Sequence, residues 1–559
     1  MKKSTTIAGA AALSLLAALT ACRGGGSTAG GASGVSGTPA TGGTVHFLTK
    51  TDFSHLDPGL GFDGGVNNFY RLIYRGLTTF ASGAGAAGGK VVPDLATDLG
   101  TSSDNAKTWT FHLKDGLTFE NGSPIDSSAV KFGVERAWDP EMGGSPYPRL
   151  LVDAPKDYKG PYQSGDLNTI ETPDAKTVVF HLKKPFADFP SALAMPNFFP
   201  VPKGTGAAHA FDTKPIASGP YRVASYVHGT SLKLVRNPQW KASTDSVRTA
   251  KPDAWEWTFG LDGATIDERM LAGQGADADA IADKIQTATL SRIQTPQLKA
   301  RTLSGYMGCT TYLAMNTTRK PLNDLRVRQA IEYAINKDTI VAAFGGSQLA
   351  SKGTAIQPPI MKGRTEYDPY PYNPEKAKQL LAEAGLSGGF SLTLDTRPVA
   401  VQTALAVAIQ EALKPLNIHI KINNIDSSTF YEVIADTSKE HDLPLTGWCP
   451  DWASGLTFLP PLFDGRGITS TANSNLAQIN NDAINKRIDQ IAAMTNADTA
   501  DAAYGELDKQ IMTQAPIVPL AYEKTALIAG ANIAGARLSS ASFSGGIDLV
   551  TVGLKDPGK

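Results

Sequence analysis

Cysteine is the residue type whose number and placement point most directly to chemistry in this chain. Its 559 residues include three cysteines, Cys22, Cys309 and Cys449. Cys22 follows an apolar N-terminal run, so a modification outside the cytoplasm could consume its thiol. Cys309 and Cys449 would then be the only thiols left in an oxidising compartment, and they could pair in one way only. Such a disulfide would close a loop of about 140 residues; two buried free thiols are the alternative.

Cys449 lies in the segment GWCPDWASG at 447–455, two residues before an aspartate and between two tryptophans. No known catalytic pattern accompanies this segment. The eight histidines are dispersed, and the chain has no H-E-x-x-H motif, no cysteine pair at zinc spacing and no G-x-S-x-G motif. These patterns favour a protein that is not an enzyme and uses no metal or other cofactor.

The N-terminus has the pattern of a secretory signal. In residues 1–21, two lysines precede an Ala/Leu-rich run that is too short to span a bilayer comfortably. The residues Leu19 to Cys22 resemble the bacterial lipobox, whose cysteine receives a diacylglycerol, so we expect lipidation of Cys22; a plain signal with an incidental cysteine is the alternative. Residues 22–43 are rich in Gly and Ser, and we expect them to be a flexible linker.

Length and charge bound the class of protein further. About 515 residues remain after the linker, which is too many for one hydrophobic core and predicts two or three domains. The chain has 52 Lys+Arg and 53 Asp+Glu, for a net charge of -1. This balance gives no general attraction for nucleic acid or anionic lipid. We therefore expect a soluble body outside the cytoplasm, held to the outer face of the cell membrane as a lipoprotein.

Strand and helix patterns alternate along the remaining chain and predict an α/β body. We predict a strand at 44–49, hairpins at 107–119 and 221–238, and a strand at 176–186.

The later half is richer in helix patterns. We predict helices that start at the caps Asp324 and Asn373, and a helix running into a strand over 401–422.

Several segments together resemble the family-5 extracellular solute-binding proteins of ABC importers, which include dipeptide-, oligopeptide- and nickel-binding proteins. The resemblance spans nearly the whole chain after the linker. The matching segments are LDPG at 56–59, RLIYRGL at 71–77, VVPDLA at 91–96, TWTFHLKDGLTFENGSPIDSSAVKFGVERAWD at 108–139, SGPYRV at 218–223, LVRNPQW at 234–240, LAMNTTRKPLNDLRVRQAIEYAINKDTI at 313–340, and GW with an aspartate at 447–451.

The resemblance implies a two-lobed, hinged periplasmic-binding-protein fold of type II, cluster C-like, with an extra small domain. Lobe I would comprise 44–72, 205–306 and 515–559, the extra domain 73–204, and lobe II 307–514. The cleft between the lobes would close on the ligand by a hinge motion.

The resemblance also suggests which residues bind the ligand. In peptide-binding relatives, the aspartate at the position of Asp451 captures the α-ammonium group of the peptide. Trp448 and Trp452 would then form apolar walls that exclude water. An exposed loop aspartate beside two core tryptophans is the alternative. A disulfide between Cys309 and Cys449 would preorganise this segment by fixing it to the first strand of lobe II.

Two details concern the ligand itself. Arg397, between a strand and a helix, resembles the arginine that binds the carboxylate of dipeptides in some relatives; a merely solvated arginine is the alternative. Many relatives have a second carboxylate after the tryptophan, whereas this chain continues Ala453, Ser454 and Gly455. That departure leaves the identity of the ligand open.

The resemblance therefore predicts a monomeric, lipid-anchored receptor that delivers oligopeptides or dipeptides to an ABC permease powered by separate ATPase subunits. A receptor for another small solute, such as a sugar or a nickel chelate, is the first alternative. A secreted hydrolase and a surface signal receptor without a transporter are the others.

Overall fold

A computed structural model describes residues 34–83, 88–206, 209–538 and 546–558. The expected signal peptide 1–21 and Cys22 lie outside the described residues, as does the first part of the linker. The prediction of a flexible linker is wrong for residues 34–43. Val35 is buried in a hydrophobic core, and the backbone amides of Val35 and Ala40 donate to the carbonyls of Ala536 and Leu554. A buried valine and pairing with the C-terminal segment offset the ordering entropy of this Gly-rich stretch.

The strands are numbered in chain order. They are β1 Thr44–Leu48, β2 Thr78–Phe80, β3 Val91–Pro93, β4 Thr101–Ser103, β5 Thr108–His112, β6 Ile170–Asp174, β7 Thr177–His181, β8 Tyr221–Val227, β9 Ser231–Arg236, β10 Ala254–Thr258, β11 Ala280–Ala282, β12 Thr302–Ala314, β13 Ala350–Lys352, β14 Phe390–Thr396, β15 Ile418–Asn424, β16 Leu443–Trp448, β17 Ile517–Ile528, β18 Ile533–Ala534 and β19 Gly553–Leu554.

The α-helices are numbered in the same way. They are α1 Gly64–Ile73, α2 Ser127–Glu135, α3 Tyr147–Leu151, α4 Pro161–Ser164, α5 Phe189–Ala192, α6 Ala210–Thr213, α7 Gly263–Ala272, α8 Thr287–Leu290, α9 Pro296–Arg301, α10 Leu325–Ala334, α11 Lys337–Phe344, α12 Pro374–Glu383, α13 Ala400–Leu413, α14 Phe430–Ile434, α15 Leu459–Phe463, α16 Asp482–Ala492 and α17 Ala497–Met512. None of these helices combines the length and apolar character that a bilayer crossing requires within the described chain.

Three sheets organise the molecule. A five-stranded sheet has the order β11-β1-β10-β9-β8, a four-stranded sheet the order β4-β5-β7-β6, and a six-stranded sheet the order β13-β17-β12-β16-β14-β15. We call each sheet with the residues packed on it the five-strand, four-strand and six-strand body. This α/β arrangement confirms the predicted fold class, and β1, β7 and the β8–β9 hairpin confirm three predicted elements.

The hairpin predicted at 107–119 is wrong. Its first half is β5, which pairs with β4 and β7, while residues 117–119 turn back locally onto 123–125. The apolar face of β5 was read correctly, because Trp109, Phe111 and Leu113 are buried. Since β7 presents Val178 and Phe180 to the same core, pairing with β7 buries more apolar surface than a local hairpin would.

Two long antiparallel strands connect the five-strand and six-strand bodies. At one end, Leu303 of β12 and Leu527 of β17 pack in the core of the five-strand body. At the other end, β12 from Tyr312 onward and β17 up to Ala521 pack in the core of the six-strand body. Their pairing shifts register between Tyr306 and Thr310, where Gly308 has φ of 89°. This left-handed backbone conformation favours glycine, and it lies where the two strands pass from one core to the other.

Candidate ligand-binding site

The segment around Asp451 is held by a covalent and a β-sheet connection. Strand β16 pairs antiparallel with β12, with Trp448 opposite Thr310. Cys309 precedes Thr310, Cys449 follows Trp448, and the two cysteines form a disulfide just beyond the end of this ladder. The pairing predicted from the number of cysteines is therefore present. It attaches the segment to β12 directly beside the register shift at Gly308.

Asp451 follows this crosslink and is partly buried. The hydroxyl of Tyr147, the first residue of α3, donates a hydrogen bond to Oδ2 of Asp451. Burial raises the pKa of Asp451, and the hydrogen bond from Tyr147 only partly opposes that shift. No Lys, Arg or His among the described residues lies within ion-pair distance of it. The carboxylate is thus desolvated and lacks a cation of its own, which favours a bound cationic group.

Trp452 lies between two bodies. Its side chain is 1% exposed and packs, with Ala453, in the core of the four-strand body. The indole Nε1 donates to Oδ2 of Asp188, and the ring lies 4.8 Å from that of Tyr147 between centroids. The indole therefore connects the segment after β16 to the four-strand body and, in this conformation, is covered by protein.

Trp448 takes a different position. Its indole Nε1 donates to the carbonyl of Thr457 at 2.9 Å, and its partly buried ring packs against the core of the six-strand body. The two tryptophans thus flank Asp451 along the chain but anchor the segment to two different cores.

Two further carboxylates lie close to this segment. The hydroxyl of Ser454 donates to Asp501 at 2.6 Å, and Asp501 is 3% exposed. Burial raises the pKa of Asp501 to about 7. Burial also raises the pKa of Asp188, against hydrogen bonds from Ser191 and Trp452. The junction between the four-strand and six-strand bodies therefore contains carboxyl groups that are costly to ionise.

Arg397 lies between β14 and α13, as the sequence predicted. Its guanidinium lies over the rings of Phe430 and Tyr431, 5.2 and 5.1 Å from their centroids. Its buried Nε has no hydrogen-bond partner, and no carboxylate of the described chain forms an ion pair with it. Arg397 is thus held by two aromatic rings, and its charge is not neutralised by a described neighbour.

The sequence analysis did not identify Tyr147, Asp188 or Phe62 as residues of this site. The ring of Phe62 packs edge-on against that of Tyr147, with 6.5 Å between the centroids. Tyr147 and Asp451 are 304 residues apart, and Asp188 and Trp452 are 264 apart. The only available signal was the position of Tyr147 just after the longest matching segment, at the start of a short helix.

Two bodies joined by a pair of strands, with an unpaired carboxylate on a crosslinked segment, are the arrangement expected of a hinged solute-binding protein. The profile of the bacterial extracellular solute-binding proteins, family 5, middle, matches residues 90–470. The chain belongs to this family, as its motifs predicted.

Individual relatives agree with this assignment. The chain is 26% identical over 490 residues to the heme-binding protein A of Haemophilus influenzae, covering 84% of this chain and 85% of the relative. It is 27% identical over 495 residues to the glutathione-binding protein GsiB of Salmonella paratyphi A, covering 87% and 90%. Its structure matches the clavulanic acid biosynthesis oligopeptide binding protein 2 with a TM-score of 0.87 and 29% identity, covering 94% and 99%.

These relatives are binding proteins rather than enzymes, which confirms the prediction that the chain is not an enzyme. The protein is a substrate-binding component of an ABC importer and acts outside the cytoplasm.

Proposed function

We propose that this protein binds oligopeptides or dipeptides in the cleft between its lobes and delivers them to the importer's permease. Asp451 would pair with the α-ammonium group of the peptide. The observation that carries the proposal is the state of Asp451: partly buried, hydrogen-bonded only by Tyr147, and without a cation in the described chain. Burying a carboxylate is costly unless a cation compensates, so a ligand ammonium is the group this position favours.

The division into lobes belongs to the same proposal. Lobe I would comprise 44–72, 205–306 and 515–559, the extra domain 73–204, and lobe II 307–514. The separate cores of the three bodies support this division in outline, although residues 517–521 pack in the core of the six-strand body and Phe199 and Val201 in that of the five-strand body. The β12–β17 pair would act as the hinge, with Gly308 at the point of flexing.

The other predicted site residues take supporting roles. Trp448 and Trp452 would hold Asp451 in a dry environment by anchoring its segment on both sides. Arg397 would bind the carboxylate of a dipeptide, which its unneutralised guanidinium supports.

Membrane attachment is also proposed. Lipidation of Cys22 would anchor a monomeric receptor at the outer face of the membrane, close to the permease and its ATPase subunits. Mass spectrometry of the protein from membranes tests this: a diacylglycerol adduct on an N-terminal Cys22 is expected, and an unmodified thiol there would contradict it.

Peptide capture is tested by native mass spectrometry of the freshly secreted protein, followed by calorimetry with synthetic peptides. We expect short peptides to be released on denaturation. Asp451→Asn should weaken binding by about 100-fold, since it removes a charge-assisted contact. N-acetylation of the peptide should cost the wild type a similar factor and cost the variant little. Asp426→Asn, an exposed change in the six-strand body, is the matched control.

A single non-peptide solute released from the protein would overturn the peptide assignment while leaving the family in place. The name of one relative, heme-binding protein A, favours this as the second candidate function. Retention of full affinity by Asp451→Asn would show that the anchor is elsewhere.

A further inference from the structure

The five-strand body contains a cavity of about 270 Å³ that the proposed ammonium site does not use. It lies at the carboxyl ends of β1 and β11, beside the first turn of α1, and Gly546, Ile547 and Leu549 of the C-terminal segment also line it. The cavity is large enough for a ring, because an apolar cavity of about 150 Å³ already binds benzene.

Aromatic rings form the walls of this cavity. Phe53 stacks on Phe69 at 4.3 Å, and Phe47 stacks on Trp257 at 5.8 Å, between centroids. Phe69 also meets Trp257 edge-on at 5.7 Å. Phe69 and Trp257 are buried, whereas Phe47 and Phe53 are only partly covered. Since two of the rings remain partly exposed, a further ring could complete the cluster with stacked and edge-on contacts.

One residue that lines this cavity has a buried polar atom without a hydrogen-bond partner among the described residues. Asn68, a cavity residue 6% exposed, donates from Nδ2 to the carbonyl of Ile547 at 2.6 Å, while its Oδ1 accepts no hydrogen bond. A buried amide oxygen without a donor costs free energy, which a ligand with an N–H or O–H could recover.

The charged residues at the rim of the cavity do not strongly favour a ligand of either charge. Lys50 and Lys284 are exposed there, while the rim aspartates are hydrogen-bonded within the chain. Asp283 accepts from the hydroxyl of Thr49 at 2.8 Å, and Asp63 caps α1 through the amide of Val66 at 2.9 Å. The two signs nearly balance, so the ring and its donor are the features that the cavity distinguishes.

The cavity is also close to the proposed anchor. Tyr147 contacts Asp451, Phe62 packs on Tyr147, and Asp63, the next residue in the chain, lines the cavity. A short extended peptide whose ammonium group is held by Asp451 could therefore bring a side chain to the cavity.

We propose that this cavity binds an aromatic side chain that carries a hydrogen-bond donor, the phenol of tyrosine or the indole of tryptophan, from the peptide whose ammonium group Asp451 holds. The assignment to a peptide rests on the proposed function; the preference of the cavity for a ring with a donor does not.

The cavity is tested first without a peptide, using p-cresol and toluene as probes in calorimetry with the full chain. We expect p-cresol to bind, and to bind about three- to tenfold more tightly than toluene, because only p-cresol can donate to Oδ1 of Asn68. Phe53→Ala should weaken p-cresol by about tenfold, whereas Phe390→Ala, which alters a partly buried ring of the six-strand body, should not. No binding of either probe, or equal binding of both, overturns the inference.

The second arm uses tri- to pentapeptides with one position changed from Ala to Phe or Tyr. Tyr should bind more tightly than Phe, and Phe more tightly than Ala, and Phe53→Ala should remove most of the difference. If the binding of the peptides depends on Asp451 but does not change with the residue at the varied position, the inference is overturned and the proposed function is left intact. If p-cresol binds but no peptide does, the proposed function fails, and with it the assignment of the cavity to a peptide side chain.

Discussion

Buried aspartates where the five-strand and four-strand bodies meet, and those at the junction of the four-strand and six-strand bodies, are held in opposite ways. In the first group, Arg136 forms a bidentate ion pair with Asp57. Asp94 forms ion pairs with Arg75 at 2.7 Å and with Arg248 at 2.8 Å. All of these side chains are nearly inaccessible to solvent. Each carboxylate is therefore neutralised by an arginine of the chain itself.

The second group has no such arginine. Asp451, Asp188 and Asp501 accept hydrogen bonds from tyrosine, tryptophan and serine, and none forms an ion pair within the described residues. Burial raises the pKa of all three.

The difference separates two uses of buried carboxylates. Burial alone would raise the pKa of Asp245 as well, but Arg248 and Arg75 lower it below its usual range. An aspartate already paired with arginine cannot recruit a ligand cation, whereas an unpaired one can bind a ligand cation or respond to pH. The paired group stabilises the fold, and the unpaired group is available for ligand binding and titration.

The largest effect should come from breaking a pair in the first group. Arg136→Met leaves the carboxylate of Asp57 buried without its cation, and we expect a loss of about 3–5 kcal/mol in the free energy of unfolding, measured with urea. Asp451→Asn, the matched change in the unpaired group, should alter stability by less than about 1 kcal/mol, because no cation is stranded. Equal losses in the two variants would contradict the comparison.

The next effect concerns the crosslink that holds Asp451. Replacing both Cys309 and Cys449 with Ser opens a loop of sequence separation 140. We expect the free energy of unfolding to fall by roughly 2–4 kcal/mol, since the unfolded chain gains freedom. Peptide affinity should fall as well, because the segment would be ordered only on binding. Unchanged urea midpoints in the double variant would show that β16–β12 pairing alone fixes the segment.

The unpaired group should also make stability depend on pH. The pKa of Asp501 is about 7 in the folded protein and near 4 when unfolded, so its protonated form is favoured by folding. Its contribution is fully present below about pH 4 and is lost as the pH rises through about 7. The free energy of unfolding of the wild type should therefore fall with pH relative to that of Asp501→Asn, by up to about 1.4 kcal/mol per unit.

Asn preserves the shape and can still accept the hydrogen bond from Ser454, so the difference between the two curves isolates the titration. Asp188, Asp498 and Lys362 also act on the pKa of Asp501 and are present in both proteins, so the difference between the curves includes the coupling of Asp501 to Asp188. Parallel curves between pH 4 and 7 would mean that Asp501 is ionised in the folded protein.

Particular residues show how much of the structure could be predicted from the sequence. Local signals were read well: Asp324 and Asn373 cap their helices, and the β8–β9 hairpin turns where glycine permits a positive φ at Gly229. These features depend on a few adjacent residues. The disulfide partners followed from cysteine arithmetic, and Asp451 from a family motif.

The junction could not be predicted in this way. Asp188 and Asp501 look like ordinary polar positions in sequence, and only tertiary packing buries them beside Trp452 and Ser454. The wall of the cavity also depends on tertiary packing, because Phe47 and Trp257 lie on β1 and β10, which are far apart in the sequence. The wrong prediction of a hairpin at 107–119 has a related cause: β5 pairs with β7, which is distant in the sequence, instead of with the residues that follow it.

The smallest expected effect separates the two tryptophans beside Asp451. Trp452→Phe keeps the ring packed on Tyr147 but removes the indole donor to Asp188, and we expect a loss of about 1–2 kcal/mol. Because that hydrogen bond lowers the pKa of Asp188, its loss should also raise that pKa and steepen the fall in stability with pH. Trp448→Phe removes a comparable donor to the carbonyl of Thr457, which does not titrate, and should lower stability without changing its pH dependence. If both variants change the pH dependence of the free energy of unfolding in the same way, titration of the junction carboxylates does not distinguish the unpaired aspartates from those paired with arginine.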